Sequence, residues 1–488
     1  MSTTVVIVAL CYFAVMVGIG LWAAIRTRTH TDFYVAGRGV GVIAIGLATM
    51  SSAVSGFSFI GGPGIQYAFG FGTLMLVIPV AGSFAITWYL LAKRMRLLAE
   101  ARSTITIPDA VHARYDSNVA RGLAAIAILL GVIGYLATQT LAMGLMLSRI
   151  FDIALPWGVV IGVTIVALYA VGGGMIAGIY TDVVQGGVMA VASVAIFWLA
   201  LDVGGGMANM VTTIAVDEAS WVGPFGSLGA VVAIGWYFVF GLGLLGQPHV
   251  LHKFYMIRDP KRMKWGAAIA AVAAMLTTLV WLAVGTVMKY LEVRGEVTLS
   301  APDQAAPVFM LQFAPPLLAG LFFAGVAAAS MSTADSFLNI GAAAITRDLP
   351  LAFGHVPGEA AQLLWGRIVT LLLALLGGTA ALVSGELVAI IGIFGWGMFA
   401  ATLAAPLALG LNWERATKEA AILAILTGAV LQAVLELNAQ FGWFGEILPG
   451  HLYRASVSFM ASFVVFIGVS FCTRREQLPA DLKAVMRA

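Results

Sequence analysis

Hydroxyl side chains concentrate in two apolar stretches of the sequence, where they could hold a small cation. The stretch "ATMSSAVSGFSFIGGPG" (48–64) carries four serines, four glycines and a proline. Ser332 and Thr333 are adjacent in "AAASMSTADSF" (327–337). Hydroxyl and carbonyl oxygens suit a monovalent cation such as sodium, whereas a divalent cation favours carboxylates. Close helix packing through small residues, or bonding of the hydroxyls to their own helix, is the alternative explanation.

Two acidic side chains lie within apolar segments, where a charge is costly and usually functional. Asp335 follows Ser332 by about one helical turn, and Asp182 stands in "GIYTDVVQGG" (178–187). We interpret Asp335 as functional rather than as a purely structural hydrogen-bonding group. Asp182 fits a helix N-cap equally well, because it lies near the predicted start of a span.

The sequence lacks the motifs of common enzyme classes. It has no Gly-Lys dipeptide, which excludes a Walker A phosphate loop, and it has neither HExxH nor CxxC. His249 and His252 could form a metal pair, but a position at a helix end explains them better. No nucleophile and base stand out together at membrane depth. The sequence therefore predicts a protein that is not an enzyme and has no cofactor.

The composition is typical of a membrane protein. Of 488 residues, 61% are hydrophobic and 10% are charged, and the mean hydropathy is +0.99. Soluble domains are about a quarter charged. The two cysteines, Cys11 and Cys472, exclude a disulfide framework, and we expect them to be buried small hydrophobic residues. The partners implied are membrane lipid and small molecules, with no nucleic acid, and the chain is expected to be a monomer.

Thirteen segments are long and apolar enough to be predicted as spans, given that a crossing helix needs about 20 residues. The first is too long for a signal-peptide core and is predicted to be retained. The spans cover 4–25, 41–62, 73–92, 122–147, 156–178, 181–201, 227–247, 266–290, 316–346, 364–384, 387–411, 418–436 and 455–472.

The basic residues predict the orientation of these spans. With the N-terminus outside, 22 of the 26 lysines and arginines, Lys253 among them, fall on the cytoplasmic side. The four exceptions are Arg149, Lys289, Arg294 and Arg454. This asymmetry is the one that the positive-inside rule describes. It predicts a multi-pass protein of the cell (inner) membrane with a cytoplasmic C-terminus.

A second glycine-rich interruption lies in span seven. The sequence "GWYFVFGLGLLGQPHV" (235–250) places Gly241, Gly243 and Gly246 shortly before Pro248. Spans two and seven each open a block of five, and because five is odd the blocks enter the membrane from opposite sides. Interruptions at matching places in inverted halves indicate a transporter binding site.

The ordered motifs together resemble the sodium/solute symporter family, most of all its sodium/proline symporter branch. They are "DFYVAGR" (32–38), "MSSAVSG" (50–56), "GGPG" (61–64), "TIPDAVHARY" (106–115), "YTDVVQG" (180–186), "GQPH" (246–249) and "MSTADS" (331–336). The resemblance implies an all-α polytopic membrane protein of about 13 helices with a leucine-transporter-like five-plus-five inverted-repeat core, spans two to eleven.

The resemblance also implies the domain limits. Residues 1–488 would form one transporter domain. Residues 1–40 would add a first helix and loop, 41–201 and 227–411 would form the two inverted repeats, and 412–488 would hold peripheral spans twelve and thirteen and a cytoplasmic tail.

By position, the resemblance implies two sets of ion-binding residues. The sodium ligands would be Ser51, Val54 and Ala329 through carbonyls and Ser332 and Thr333 through hydroxyls. Asp182, Asp335 and Ser336 would form a second ion site or the exit for the ion.

The substrate site implied by the resemblance departs from the sodium/proline branch. Its residues would be Ser55, Ser58, Gln139, Phe240 and Leu244. Gln139, Phe240 and Leu244 replace aromatic residues of that branch, and Ala53 replaces an aspartate. The cargo is therefore expected at the level of a small organic solute, an amino acid or organic acid, moved with sodium by alternating access. A proton-coupled symporter and a transporter-like solute sensor remain the alternatives, although the short tail has no room for a signalling domain.

Overall fold

The computed structural model describes residues 3–26, 39–356, 358–383, 388–445, 448, 454–475 and 477–488. Within these ranges the regular structure is helical, apart from an isolated parallel bridge between Val40 and Ile257. A helix satisfies its backbone hydrogen bonds within one segment, as a lone span in lipid must. The motif at 32–38 lies outside the described residues.

The first half of the chain is built from helices of very different lengths. They are α1 Thr3–Arg26, α2 Val42–Ala53, α3 Gly62–Phe69, α4 Leu74–Val77, α5 Val80–Thr87, α6 Lys93–Arg102, α7 Ile107–Tyr115, α8 Asn118–Phe151, α9 Leu155–Val203 and α10 Met207–Asp217. Five-residue π turns, Phe57–Gly61 and Trp88–Ala92, lead into α3 and α6. Such turns are frequent at functional sites.

The second half contains the remaining helices. They are α11 Ala230–Gly243, α12 Pro248–Leu251, α13 Met263–Val293, α14 Ala305–Phe313, α15 Pro316–Ala343, α16 Leu349–Ala352, α17 Glu359–Val383, α18 Val388–Ala404, α19 Lys418–Phe441, α20 Arg454–Cys472 and α21 Ala480–Arg487. Short 3-10 turns, Leu244–Gly246 and His252–Met256, flank α12.

The multi-pass, all-helical class predicted from the sequence is confirmed. Ten helical segments of the described chain are long and apolar enough to cross a membrane, and the bent pair Ala230–Gly246 and Pro248–Met256 is an eleventh. One of the thirteen predicted spans, 41–62, corresponds instead to a shorter apolar helix, Val42–Ala53, because the helix breaks after Ala53.

Predicted spans five and six are not separated by a loop. The structure has one helical run, Leu155–Val203, where the sequence predicts 156–178 and 181–201. No proline occurs between Pro156 and the end of this run, so nothing in the backbone chemistry forces the helix to stop. Asp182 lies well inside the run, and the interpretation of this residue as an N-cap is therefore wrong.

The cysteines also differ from the expectation. Cys11 on α1 and Cys472 at the end of α20 are both exposed on the protein surface rather than buried. In a membrane protein the outer surface of a span faces lipid, so an apolar side chain there carries no penalty.

Helix α15 forms the centre of the bundle. Its residues from Phe322 to Ala343 are all buried, and it packs against α1, α8 and α9. Glycine and alanine dominate its first half, and small side chains let neighbouring backbones come close. Hydroxyl and acidic side chains on α15 are therefore held in the protein interior.

Candidate functional site

The predicted interruption of span two is present between α2 and the π turn. Val54, directly after α2, has φ −87° and ψ 96°, an extended conformation. The Gly56 N–H donates to Gln139 Oε1 on α8 over 2.9 Å, and the Phe57 N–H donates to Ser55 Oγ over 3.2 Å. Because these amides bond to side chains, the carbonyl oxygens one turn earlier, at Ser52 and Ala53, lose their helical partners.

Helix α15 meets this break with its two adjacent hydroxyls. Thr333 Oγ1 donates to the Ser52 carbonyl oxygen over 3.0 Å. Ser51 Oγ donates to Ser332 Oγ over 3.0 Å. These side chains are buried. The pair predicted from sequence thus lies against the break and not against lipid.

The residues predicted as sodium ligands are close in space. Ser51 bonds to Ser332, and Thr333 bonds to the carbonyl of Ser52, the residue next to Ser51. Val54 is the first extended residue of the break. Ala329 is buried on α15 one turn before Thr333. The donor set consists of hydroxyl and carbonyl oxygens, which fits a monovalent cation better than a divalent one.

An ion pair that the sequence analysis missed lies beside these hydroxyls. Lys253 Nζ donates to Asp182 Oδ2, and each side chain is 1% exposed. Asp182 accepts a second hydrogen bond from Ser332 Oγ at its other oxygen. Lys253 also donates to Ser52 Oγ and, over 3.2 Å, to the Ala48 carbonyl oxygen.

The sequence analysis counted Lys253 among the basic residues of the cytoplasmic side, whereas the structure buries its side chain in the protein interior. A signal was available, because Lys253 follows the broken span by a few residues and Asp182 is an apolar-segment acid without a counter-charge. Charge counting along the sequence could not reveal the pairing, which joins residues 71 positions apart.

The second predicted acid, Asp335, has one free oxygen. Its Oδ1 accepts a hydrogen bond from Asn339 over 3.2 Å. Its Oδ2 is buried and has no hydrogen-bond partner in the described chain. The hydroxyl oxygen of Ser336, the next residue, lies 3.1 Å from the hydroxyl oxygen of Ser52. A buried carboxylate oxygen without a donor is a position where a cation is favoured.

A cavity adjoins the break. Three predicted substrate residues, Ser58, Phe240 and Leu244, line it. Ser55 and Gln139 do not; they bond to the broken backbone instead. The sequence analysis missed Phe57, the neighbour of Ser58, and it also missed lining residues that other helices contribute, mostly aromatic: Phe84, Tyr135, Thr278, Trp281 and Trp396.

Phe240 is held in an aromatic stack at this cavity. Its ring lies 5.1 Å from that of Trp396 and 6.0 Å from that of Phe57, with interplanar angles of 11° and 19°. Among the residues that the structure describes, no charged side chain lines the cavity. Flat aromatic walls with a few hydroxyls favour a compact cargo that presents an apolar face.

His249 and His252 are both buried, and both lie at the end of the short helix α12, with His252 as its C-cap. His249 packs 4.4 Å from the Phe337 ring, and its nitrogens have no partner in the described structure. His252 Nε2 bonds to the Ile105 carbonyl oxygen over 2.8 Å. Within the described residues no group of three or more potential metal ligands is present.

Comparison with protein families gives one match over most of the chain. The model described as "Sodium:solute symporter family" matches residues 33–428. The sodium/pantothenate symporter of Escherichia coli K12 is 28% identical, over 93% of this chain and 95% of that protein. The osmoregulated proline transporter OpuE of Bacillus subtilis 168 is 28% identical, over 97% and 96%. The sodium/proline symporter of Escherichia coli K12 is 26% identical, over 93% and 91%.

Solved structures share the fold. A Na⁺-coupled sialic acid symporter in a substrate-bound outward-open state has a TM-score of 0.79 at 20% identity, covering 98% of this chain and all of that one. The transporter MhsT in complex with L-phenylalanine has a TM-score of 0.56 at 13% identity, covering 89% and 98%. At these identities the likeness concerns the fold alone.

Proposed function

The chain belongs to the sodium:solute symporter family and couples sodium to the movement of a small solute; from this premise we propose where the ion binds and what kind of solute is carried. Sodium binds at the break after α2, held by the carbonyls of Ser51, Val54 and Ala329 and the hydroxyls of Ser332 and Thr333. The observation that carries this proposal is the 3.0 Å hydrogen bond from Thr333 Oγ1 to the released Ser52 carbonyl. It brings neutral oxygens of two helices together in the protein interior.

The ion couples to cargo because both use the same break. Ser51 precedes the break, Val54 is its first residue, and Ser58 follows it and lines the aromatic cavity. Sodium that ties α2 to α15 favours the conformation in which the cavity is ordered for the solute. Coupling requires different sodium affinities in the two conformations, since equal affinity would shift no population. The membrane potential contributes roughly 2.3 kcal/mol per charge per 100 mV.

The cargo is a small amino acid or organic acid. Pantothenate and proline, the solutes for which two relatives are named, each have a carboxylate and an apolar part. The cavity matches the apolar part through Phe240, Trp281 and Trp396. The Gly56 and Phe57 amides, which open the second half of the broken span, already bond to side chains. A carboxylate would therefore replace Gln139 or Ser55 as their acceptor.

The proposed cycle uses two inverted repeats, 41–201 and 227–411, in one domain with peripheral spans at 412–488. With the N-terminus outside and the C-terminus cytoplasmic, sodium enters from outside and leaves towards Asp182, while Asp335 and Ser336 lie along that exit. A monomer suffices, because the proposed ligands all come from one chain.

Uptake by the purified chain in proteoliposomes tests the proposal. A panel of amino acids, short carboxylates and vitamins, proline and pantothenate included, is offered at fixed pH with an inward gradient of sodium or of choline. We expect accumulation of at least one carboxylate solute in sodium and only leakage in choline.

Two outcomes would favour the alternatives. The free Oδ2 of Asp335 is the feature that favours proton coupling, and accumulation driven by a pH gradient in choline would establish it. Sodium-dependent binding of a solute without its transport would point to a sensor.

A further inference from the structure

Lys253 occupies a position where a membrane protein rarely places a lysine. Its side chain is 1% exposed, and its Nζ donates to Asp182, to Ser52 and to the Ala48 carbonyl. An ammonium has three donors, and all three are used. The ammonium is therefore surrounded by the same kinds of oxygen that would surround a sodium ion, namely those of a carboxylate, a hydroxyl and a carbonyl.

These oxygens belong to the second ion site expected from the sequence. Asp182 is one of its predicted members, and Ser52 links Lys253 to another, since its hydroxyl lies 3.1 Å from that of Ser336. A sodium ion bound to Asp182 and Ser52 would stand at contact distance from the ammonium. Two like charges in contact repel each other strongly in the protein interior. The lysine and a sodium ion therefore exclude one another.

The charges of Asp182 and Lys253 cancel within one buried ion pair. Buried charges are paired in stable proteins. A sodium ion added at Asp182 would therefore leave an excess positive charge in the interior.

We propose that Lys253 is a tethered cation that replaces a second sodium ion at Asp182, so that one sodium ion binds per chain and per transport cycle. This inference rests on the proposed sodium site between α2 and α15. In that site Ser332 contacts Asp182 on one side, while Lys253 holds the other carboxylate oxygen. Asp182 thus contacts both the proposed sodium site, through Ser332, and the ammonium of Lys253.

Binding of ²²Na⁺ to the purified full chain in detergent tests this inference without knowledge of the cargo. We expect one sodium ion per wild-type chain. Lys253→Met removes the ammonium, keeps an unbranched side chain and leaves Asp182 uncompensated, so two sodium ions are expected. Lys253→Arg keeps a cation and should bind one. The double variant Lys253→Met with Asp182→Asn removes both partners and should also return to one.

The outcomes separate the inference from the site on which it rests. A wild-type chain that binds no sodium overturns the sodium site, and the inference with it. A wild-type chain that binds one ion, together with a Lys253→Met chain that still binds one at unchanged affinity, overturns the inference alone. If Lys253→Met is monodisperse only in sodium, a cation has replaced the lysine and the inference is supported. If that variant folds in neither sodium nor choline, the number of sodium ions bound per wild-type chain decides, because two ions per chain would contradict the proposal.

Discussion

Thr333 Oγ1 donates a 3.0 Å hydrogen bond to the carbonyl oxygen of Ser52. This carbonyl is available because the Gly56 amide, its partner in a continuous helix, bonds to Gln139 instead. The contact joins the middle of α15 to the point where span two is broken. A change in the geometry of the break therefore shifts the hydroxyl pair, and an ion bound to that pair stabilises the geometry of the break.

Removal of the hydroxyl pair should weaken sodium dependence. In Ser332→Ala with Thr333→Ala, we expect the sodium concentration for half-maximal uptake to rise about tenfold or more, since each lost contact contributes about 1 kcal/mol. Ser330→Ala is the matched control, because Ser330 is buried on the same helix and its hydroxyl has no partner in the described residues. An unchanged sodium dependence in the double variant would remove α15 from the ion site.

The close approach at Gly56 should not tolerate a methyl group. A Cβ there would lie 2.5 Å from Ser330 Oγ and 2.7 Å from Ala142 Cβ. Both neighbours belong to packed helices, so the break must shift, and we expect Gly56→Ala to reduce sodium-driven uptake about tenfold or more per molecule of protein. Gly82→Ala, where nothing lies within 4 Å, is the control. Normal uptake by the Gly56 variant would mean that the geometry of the break is not critical.

The aromatic stack should determine affinity for the cargo rather than for sodium. Phe240→Ala opens the cavity wall between Phe57 and Trp396. We expect the KM for the identified solute to rise about tenfold, which corresponds to about 1.4 kcal/mol of lost contact, while the sodium requirement at saturating solute stays the same. Tyr237→Ala serves as control, since Tyr237 is on the same helix and exposed. Equal effects of the two variants on KM would place the cargo elsewhere.

Asp303 should make the stability of the chain depend on pH. It lies before α14, outside the spans, and its Oδ2 accepts a 2.7 Å hydrogen bond from the Val388 N–H at the start of α18. Burial raises the pKa of Asp303 from 3.8 to about 6, although that hydrogen bond lowers it. The folded chain therefore holds this proton more tightly than the unfolded chain does. The resulting stabilisation is complete below about pH 4 and is lost as the pH rises through about 6.

Thermal unfolding in detergent measures this effect. Between about pH 4 and pH 8 the wild type should lose about 2–3 kcal/mol more than Asp303→Asn, which keeps the acceptor but cannot ionise. This corresponds to a difference of a few degrees in Tm. Parallel pH profiles for the two proteins would show that Asp303 titrates normally.

Much of the site could be predicted because local composition carries it. Glycine, serine and proline within 48–64 weaken a helix wherever it lies, and the break after Ala53 is present. The bend of 42° at Gln247 likewise follows from Gly246 and Pro248 in the chain itself. Gln139 and Ser55, predicted to bind the substrate, bond to the broken backbone beside the cavity. The sequence could not show this, because the direction of a side chain depends on which backbone groups the break leaves without partners.

The sequence by itself determined the class of the protein, its helices and the two interruptions, because apolar length and helix-weakening residues act within a few turns of the chain. Only the tertiary structure decided that Lys253 lies in the interior on Asp182, that Ser332 lies on the opposite oxygen, and that aromatic rings from separate helices form one cavity. Such contacts join residues tens to hundreds of positions apart. They depend on how whole helices pack and on the need to pair a buried charge, and no short stretch of sequence predicts either of these.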